Sequence, residues 1–175
     1  TGEVEITPLH DILINDIGLD TLKEKVKKPL KGLKIASYYG CALVRNPKIM
    51  QADDHENPMF LDTIAEALGA EPVDWSNKVD CCGADVALTH GKIAVDLADK
   101  IVEGAREAGA DCVMSACGLC QINLDMRQSG KGGDKIPQFY YTELMGIALD
   151  VPDKNDWWDM HIVSVVPLLK SAGLL

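Results

Sequence analysis

The chain has 175 residues, of which 47% are hydrophobic and 25% charged, and its net charge at pH 7 is −10. This length fits one domain with a sizeable core, or one domain with a small appendage, and argues against two full domains. An excess of 27 acidic over 17 basic residues argues against nucleic-acid binding, which needs a basic face. The longest apolar run, residues 162–169, is interrupted by Ser164 and Pro167, which excludes a membrane span.

The six cysteines are too few for a disulfide scaffold and more than packing requires. Residues 1–5 have neither the basic nor the apolar segment of a signal peptide, so we expect a cytoplasmic protein. In that reducing compartment, clustered cysteines indicate metal or redox ligands. The missing initial Met fits either its removal before Thr1 or the excision of a domain from a longer polypeptide.

In the first half of the chain, apolar spacing predicts a short helix over residues 19–26, and the basic cluster at 23–34 is interpreted as its solvated face. An alternating strand over 33–39 follows and is stopped by Gly40. A helix from Asn57-Pro58 to Leu68 ends at Gly69, and residues 71–75 form the second predicted strand.

The second half continues the alternation of helices and strands. Apolar spacing predicts a long amphipathic helix over 84–108 and a last helix over 161–169, with a strand as the alternative there. Between these two helices we predict a strand at 111–116, a helix at 121–127 and a flexible loop at 129–135. A strand at 136–141 follows, then a helix that ends at Ala148 and a polar break at 152–159.

This alternation predicts an α/β fold with a mostly parallel sheet and helices on both of its faces. We divide the chain into a helical lead-in, residues 1–32, and a single α/β domain, residues 33–175.

Five cysteines lie at predicted strand ends: Cys41 after the first strand, Cys81 and Cys82 after the second, and Cys117 and Cys120 after the third. The carboxyl ends of parallel strands share one edge of a sheet, so we expect the five thiols to meet there. Cys82 and Cys117 also precede predicted helices, whose amino-terminal dipoles favour thiolates.

Five thiols in one place suit a metal centre, which neutralises their mutual repulsion. Zinc takes four ligands and a cubane iron-sulfur cluster takes four cysteines, so five is one more than either needs. The adjacent Cys81 and Cys82 can reach two irons of one cluster, and Gly83 would let backbone approach its sulfides. Cys112, inside a strand, is predicted to be a core residue.

Two other functions remain open at this point. A structural zinc module would need only four of the cysteines. A thiol-disulfide exchange protein would use Cys117 and Cys120 without metal.

A few further residues have both a functional and an ordinary interpretation. Arg45 could bind an anionic substrate group near Cys41 or be a solvated surface residue. His90 is the candidate non-cysteine zinc ligand, with a core or partner-facing role as the alternative, and His55 could be a fortuitous ligand in an acidic, helix-capping segment. The Trp157-Trp158 pair could form a subunit contact or pack under the last helix.

The cysteine pattern and the sequence around it resemble the cysteine-rich CCG domain family, and within it the carboxyl-terminal CCG domain of heterodisulfide reductase B subunits. The resemblance extends from about residue 15 to about residue 150. It is carried by residues 28–34, 38–41, 57–58, 67–74, 81–84 and 123–125.

The resemblance implies that Cys41, Cys81, Cys82, Cys117 and Cys120 hold a noncubane [4Fe-4S] cluster. In the family, two CCG domains of one subunit face each other across a small disulfide such as CoM-S-S-CoB, and a ferredoxin-like iron-sulfur subunit supplies electrons. With one CCG motif, the chain resembles only the carboxyl-terminal half of such a subunit, and we expect it to be inactive alone. The family also implies alternatives, namely a zinc-binding CCG domain or an electron-transfer domain of a succinate, glycolate or lactate oxidising system.

Overall fold

A four-stranded sheet, with all neighbouring strands parallel and in the order β2-β1-β3-β4, organises the domain. The computed structural model describes residues 2, 4, 6–50, 52, 54–130 and 133–175. The strands are β1 Lys34–Tyr38, β2 Glu71–Pro72, β3 Cys112–Ser115 and β4 Gln138–Tyr140.

Eight α-helices surround this sheet within the described ranges. Two 3-10 segments, Ala84–Val86 and Lys154–Met160, and a π-helical segment, Ile12–Ile17, complete the helical structure. The α-helices are α1 Leu9–Asp11, α2 Leu19–Lys25, α3 Pro47–Met50, α4 Phe60–Ala67, α5 Gly91–Glu107, α6 Gly118–Arg127, α7 Tyr141–Ala148 and α8 Val166–Ser171.

Helices cover both faces of the sheet. From β1 the chain crosses to β2 at one edge of the sheet, and from there it returns past β1 to β3 and then β4 at the other edge. Because these crossovers are right-handed, α4 lies on one face of the sheet and α5 and α6 lie on the other face. Helix α4 contacts β1 and α2, whereas α5 and α6 contact each other and β3. All four residues of β3 are buried, including Ser115, as expected of a parallel strand covered on both sides.

The central pair, β1 and β3, is fixed at its start by Lys34 and Asp111. The Asp111 amide donates to the Lys34 carbonyl at 2.8 Å, and the Lys34 amide donates to the Asp111 carboxylate at 2.8 Å. The pairing runs from Ile35 opposite Cys112 to Tyr38 opposite Ser115. Both central strands therefore end at the same level of the sheet.

The structure confirms the predicted α/β fold with a parallel sheet. All four predicted strands are present, although each is shorter than predicted. The predicted helices near residues 19–26, 57–68 and 141–148 correspond to α2, α4 and α7. Gly69 ends α4 with φ +88°, a conformation that glycine adopts without strain.

Several predicted boundaries were wrong. The helix predicted over 84–108 is interrupted: a 3-10 turn is followed by a break, and α5 begins only at Gly91. The second strand has two residues instead of five, helix α6 begins at Gly118 instead of Gln121, and the last helix begins at Val166.

The basic stretch over 23–34 is helical only as far as Lys25. Helix α1 and the π-helical segment were not predicted. Residues 1, 3 and 5 of the predicted lead-in and residues 131 and 132 of the predicted loop lie outside the described residues.

The segment before β1 packs onto the domain. Leu13, Leu22 and Leu30 are buried in the common core. The amides of Lys27 and Lys28 both donate to the Ala148 carbonyl, at 2.8 and 2.9 Å. The division of the chain at residue 32 stays a prediction.

A search of the described residues for a helix long and apolar enough to cross a membrane finds none. The predicted cytoplasmic location stays a prediction.

Candidate functional site

Three loops that follow β1, β2 and β3 carry the five cysteines of the predicted site. After β1, the amides of Tyr39 and Gly40 both donate to the carbonyl of Lys78, at 2.9 and 3.1 Å. This contact brings the segment that leads to Cys81 and Cys82 alongside the loop that begins with Cys41. The irregular path after the short strand β2 is thus anchored to the end of β1.

The five thiols form a continuous series of neighbours, which we call the thiol group: Cys41, Cys81, Cys82, Cys117 and Cys120. The sulfurs of Cys82 and Cys120 are 3.5 Å apart. Cys41 interacts with Cys81, and Cys120 interacts with Cys117 as well as with Cys82. All five are free thiols. The structure therefore brings together the five residues that the spacing singled out.

Burial varies across the thiol group. Cys82 and Cys120 are buried, Cys41 and Cys117 are half-buried, and Cys81 is exposed. The group thus has a closed inner end and an open outer end. Across the described part of the chain, no three His, Cys, Asp or Glu side chains are arranged so that they could hold a metal ion as they stand.

The inner thiols differ in acidity. A hydrogen bond shared with Cys120 lowers the pKa of the Cys82 thiol to about 6 against the opposing effect of burial, with help from the Ala84 amide and the Tyr38 hydroxyl. The same hydrogen bond, together with burial, raises the pKa of Cys120. Burial and the neighbouring Cys81 raise the pKa of Cys41. Of Cys41, Cys82 and Cys120, Cys82 is therefore the thiol best suited to be a thiolate at neutral pH.

Cys112 is separate from the thiol group. It is fully buried within β3, and burial strongly raises the pKa of its thiol, with a further contribution from Asp111. These properties are those of the core residue that the sequence indicated.

Two glycines shape the loops. Gly83 has φ +78°, and a Cβ there would lie 2.9 Å from the Leu97 side chain and 3.1 Å from the Ala94 backbone, so this side of it packs against α5. The Gly83 amide donates to the Cys81 sulfur at 3.4 Å, and its approach to the sulfides of a cluster stays a prediction. Gly40 has φ +65°, and a Cβ there would lie 3.0 Å from the Cys120 sulfur. Gly40 is therefore the glycine that makes room at the thiol group.

Helix α6 supports Cys117, which is its N-cap residue, as predicted. Cys82 does not precede an α-helix, because Gly83 adopts a left-handed conformation and only a three-residue 3-10 turn follows. The dipole of an α-helix can therefore stabilise a thiolate at Cys117 but not one at Cys82.

Asn123, also on α6, contributes to the site in a way that the sequence did not reveal. Its amide nitrogen donates to the Cys82 carbonyl at 2.7 Å, and its amide oxygen accepts from Arg127 Nε at 2.7 Å. Asn123 is buried. The helix that carries Cys117 and Cys120 therefore also holds the backbone of the Cys81-Cys82 pair.

Two tyrosines beside the thiol group were also missed. The Tyr38 hydroxyl donates to the Asp80 carbonyl at 2.6 Å, and the Tyr140 hydroxyl donates to the Ala116 carbonyl at 2.7 Å. Each acceptor belongs to the residue directly before a cysteine. The alternating pattern of β1 could have marked Tyr38 as buried, but it contains no signal for the hydroxyl contact.

A buried polar network lies behind the Cys41 loop. The Lys78 ammonium lies 3.4 Å from Asp62 Oδ2, and both side chains are almost completely buried. The Tyr39 hydroxyl donates to the Asp62 carboxylate and accepts from the amides of Leu61 and Asp62. Burial raises the pKa of Asp62, although Tyr39 and Lys78 act in the opposite direction. This network fixes the residue whose carbonyl holds the Cys41 loop.

Two of the other predicted candidates, Arg45 and His90, have ordinary partners in the structure, whereas in the described part of the chain His55 does not. Arg45 is half-exposed and pairs with Glu56 at 3.0 Å, although its second nitrogen reaches the Val79 carbonyl at 3.5 Å, near Cys81. His90 is exposed and bonded to Thr89 at 3.0 Å. His55 has a buried Nδ1 with no hydrogen-bond partner among the described residues.

The tryptophan pair is not an exposed patch. Trp158 is buried, Trp157 is half-buried, and their rings meet edge to face at 6.0 Å. Trp157 also packs against Gly146, where a Cβ would lie 2.6 Å from its ring. Trp157 therefore packs against α7, and both packing under the last helix and a subunit contact stay predictions.

Several clefts lie away from the thiol group. One of about 400 Å³ is lined in part by charged residues of α5, including Asp99, Lys100 and Arg106. Another of about 320 Å³ is lined by His10, Phe60 and neighbouring apolar side chains. No cysteine lines either of these two clefts, so neither of them marks the thiol group.

The fold and the site define a parallel α/β domain that gathers cysteine thiols from three loops following its strands. The cysteine-rich domain family, CCG, matches residues 35–125, and the chain belongs to this family. The match includes all five members of the thiol group. It confirms the family that the cysteine spacing indicated.

Several characterised proteins are similar to the chain over most of its length. One is the 8-methylmenaquinol:fumarate reductase membrane anchor subunit of Wolinella succinogenes, to which the chain is 32% identical over 172 residues. The aligned region covers 95% of this chain and 60% of that protein. Another is the B subunit of the ferredoxin:CoB-CoM heterodisulfide reductase of Methanosarcina mazei, to which the chain is 34% identical over 155 residues. This aligned region covers 85% of this chain and 51% of that protein.

A third relative is the B subunit of the ferredoxin/F(420)H(2)-dependent CoB-CoM heterodisulfide reductase of Methanosarcina acetivorans. It is 34% identical over 185 residues, which covers 99% of this chain and 61% of that protein. The predicted similarity to heterodisulfide reductase B subunits is thus confirmed. The chain spans between half and two thirds of the length of these relatives.

Proposed function

We propose that this chain is an iron-sulfur redox domain of a protein similar to the heterodisulfide reductase B subunits. The observation that carries the proposal is the thiol group itself: five cysteines from three loops in one series of contacts, with Cys82 and Cys120 only 3.5 Å apart. The similarity to two heterodisulfide reductase B subunits supports the same conclusion.

The donor set fits an iron-sulfur cluster. Thiolates are the usual ligands of such clusters, and the thiol group provides one more than a cubane needs. The five sulfurs are linked pair by pair, which suits ligands that bind different irons of one cluster. We therefore propose that Cys41, Cys81, Cys82, Cys117 and Cys120 would hold a noncubane [4Fe-4S] cluster, which supplies one-electron transfer when bound.

The proposed reaction is the reduction of a small disulfide, CoM-S-S-CoB or a related compound. The S–S bond accepts two electrons and two protons and breaks into two thiols, RSSR′ + 2e⁻ + 2H⁺ → RSH + R′SH. The electrons would come from a ferredoxin-like iron-sulfur subunit of the same complex. The open outer end of the thiol group, at the exposed Cys81, is the side from which a substrate could approach.

An amino-terminal CCG domain of the same subunit is the second proposed partner. Helix α6 supports this proposal, because Leu119, Ile122 and Met126 lie on one face of it and are 68%, 58% and 57% exposed. Leu119 lies between Cys117 and Cys120 in the chain, so a partner on this face would contact the helical turn that carries these two cysteines. Without such a partner we expect the chain to be inactive as a reductase.

Arg45 is proposed as a contact for an anionic substrate group, because its guanidinium reaches toward the backbone before Cys81. Its pairing with Glu56 leaves part of the guanidinium free to bind a carboxylate. In the full complex, Arg45→Gln should raise KM for the disulfide about tenfold or more, as expected for a lost charged hydrogen bond. Glu56→Gln is the matched variant, and an equal rise in both would contradict a direct substrate contact.

Anaerobic reconstitution followed by metal and sulfide analysis tests the cluster. About four irons and about four acid-labile sulfides per chain are expected, with an electron paramagnetic resonance signal after oxidation or reduction. Cys82→Ser should lower iron and sulfide content, whereas Cys112→Ala should leave both unchanged. One zinc with no sulfide would indicate the structural zinc module instead, and dithiol redox activity without metal would indicate thiol-disulfide exchange.

A further inference from the structure

The sulfurs of Cys82 and Cys120 are in contact at the closed inner end of the thiol group. They lie 3.5 Å apart, and the two residues are only 3% and 6% exposed. Cys82 belongs to the loop after β2, whereas Cys120 lies in the first turn of α6, 38 positions later in the chain. The fold thus places two free thiols from distant segments side by side in its interior.

Little movement would be needed to join these two sulfurs. The S–S bond of a disulfide is about 2.05 Å long, so each sulfur would move by less than about 1 Å, which small rotations about the two Cα–Cβ bonds can supply. The backbones are already tied together, because Asn123, one turn after Cys120, donates to the Cys82 carbonyl at 2.7 Å. Gly40 carries no side chain that would fill the space beside the Cys120 sulfur.

Burial distinguishes this pair from the other pairings of the thiol group. Cys81 is exposed, and Cys41 and Cys117 are half-buried. A disulfide that contains one of these three can be attacked by a reducing thiol from solvent, whereas a bond between Cys82 and Cys120 is shielded. Because the members of the thiol group contact one another in series, a disulfide formed at the exposed Cys81 can pass inward by exchange. The buried pair is therefore where such a bond would come to rest.

We propose that Cys82 and Cys120 form a reversible disulfide in the metal-free chain, and that this bond keeps the chain from taking up a cluster. With a small disulfide RSSR as the oxidant, its S–S bond and two protein S–H bonds break, one protein S–S bond forms, and two molecules of RSH leave with the two protons. The bond removes two of the five sulfurs of the donor set, which leaves fewer than a cubane cluster or zinc needs. The block on cluster uptake rests on the proposed function, whereas the pairing of the two sulfurs does not.

The linkage is tested on the reduced, metal-free chain under anaerobic conditions. The chain is equilibrated in a buffer of reduced and oxidised glutathione, its remaining thiols are alkylated, and its peptides are mapped by mass spectrometry with fragmentation. We expect one intramolecular disulfide, between Cys82 and Cys120, with Cys41, Cys81 and Cys117 alkylated. Cys82→Ser should lower the disulfide content about tenfold or more, whereas Cys117→Ser, which removes the other cysteine of the C-x-x-C motif, should leave it unchanged.

Metal uptake is tested with Co²⁺, a probe of thiolate ligands that does not itself reduce disulfides. After removal of glutathione, the reduced chain should show sulfur-to-cobalt charge-transfer absorption, and the oxidised chain should lose about nine tenths of it. Treatment with a phosphine reductant, followed by its removal, should restore the absorption in full.

A disulfide between Cys117 and Cys120, a mixture of linkages, or no linkage would overturn the pairing, and the mapping of the unaltered chain stays decisive if a serine variant does not fold. Equal Co²⁺ binding by the reduced and oxidised chains would overturn the block on metal uptake. Repeated turnover of a disulfide substrate by the metal-free chain would indicate thiol-disulfide exchange instead. A reduced chain that takes up no iron or sulfide on reconstitution would refute the proposed function and with it the block on cluster uptake, and the mapped linkage would still decide the pairing.

Discussion

Asn123 lies on α6, one turn after Cys120, and donates a hydrogen bond to the backbone carbonyl of Cys82 at 2.7 Å. The helix that provides two thiols therefore fixes the backbone that provides two others. This relation makes the site a cooperative unit, because displacing α6 would also displace the Cys81-Cys82 pair.

Replacing Asn123 with Leu should destabilise the chain by about 1–3 kcal/mol, because a buried carbonyl would lose its donor and Arg127 its acceptor. The free energy of unfolding in urea, measured on reduced protein, checks this. Asn15→Leu, at an exposed position, is the control and should change stability by less than about 0.5 kcal/mol. Equal effects in both variants would contradict the role given to Asn123.

Gly40→Ala should affect both stability and the thiol group. A left-handed backbone costs a non-glycine residue about 1–2 kcal/mol. The new Cβ would also press on the Cys120 sulfur, for which overpacking predicts about a further 1–3 kcal/mol. Gly109→Ala is the control, since Gly109 has φ +78° and empty space around its Cβ position.

The two glycine variants should therefore differ in two measurements. Gly40→Ala should have the lower free energy of unfolding and should take up less iron and sulfide on reconstitution. If Gly109→Ala is as unstable as Gly40→Ala and both take up full iron, the contact between Gly40 and Cys120 has no influence on the site.

Lys78→Met should be the most destabilising of these substitutions, by about 3–5 kcal/mol, because it leaves the buried Asp62 without its positive partner. Lys100→Met removes a comparable ion pair, with Asp80 at 2.8 Å, but Lys100 is 63% exposed and the loss should not exceed about 1 kcal/mol. Urea unfolding near pH 7 compares the two. Similar losses would mean that the Lys78 pair is less desolvated than its burial indicates.

His161 should make stability depend on pH. Burial lowers the pKa of the imidazole, but the hydrogen bond to Glu143 at 3.1 Å, the charge of Glu143 and the nearby Asp125 raise it, and the net shift is upward from 6.5. The protonated form thus favours the folded state. Its contribution is fully present below pH 6.5 and is lost as pH rises through the raised pKa.

His161→Gln should accordingly cost about 1–3 kcal/mol at pH 6 and less at pH 8. The measurement is the difference in unfolding free energy between variant and wild type at each pH. Because both proteins contain the same thiols, the contribution of thiol titration cancels in this difference. A difference that stays constant or grows with pH would show that the imidazole is neutral in the folded protein.

Those parts of the site that depend only on local apolar pattern and on chain topology could be predicted from the sequence. Cys41 and Cys117 follow strands with clear apolar patterns, and parallel strands end at one edge of a sheet. The path to Cys81 was less predictable, because β2 has only two residues and the chain then depends on the contact between Lys78 and Gly40. Such a contact joins distant residues and leaves no periodic signal.

Details at single residues were unpredictable for a similar reason. The sequence indicates that the Gly83 backbone lies beside the thiols, but its left-handed φ and its packing on α5 depend on a helix that begins eight residues later. Tyr38 and Asn123 could be expected to be buried from periodicity alone. Which carbonyl their polar atoms would bind could not be expected, since that depends on the relative placement of β1, α6 and the Cys81 loop.

The pairing of β1 with β3, fixed at Lys34 and Asp111, joins residues 77 positions apart in the chain. Contacts of such sequence separation slow folding, because a long loop must close before they form. The cysteines of a newly synthesised chain would therefore stay apart until its two central strands have met. We expect the unfolded chain to be the form most exposed to thiol oxidation.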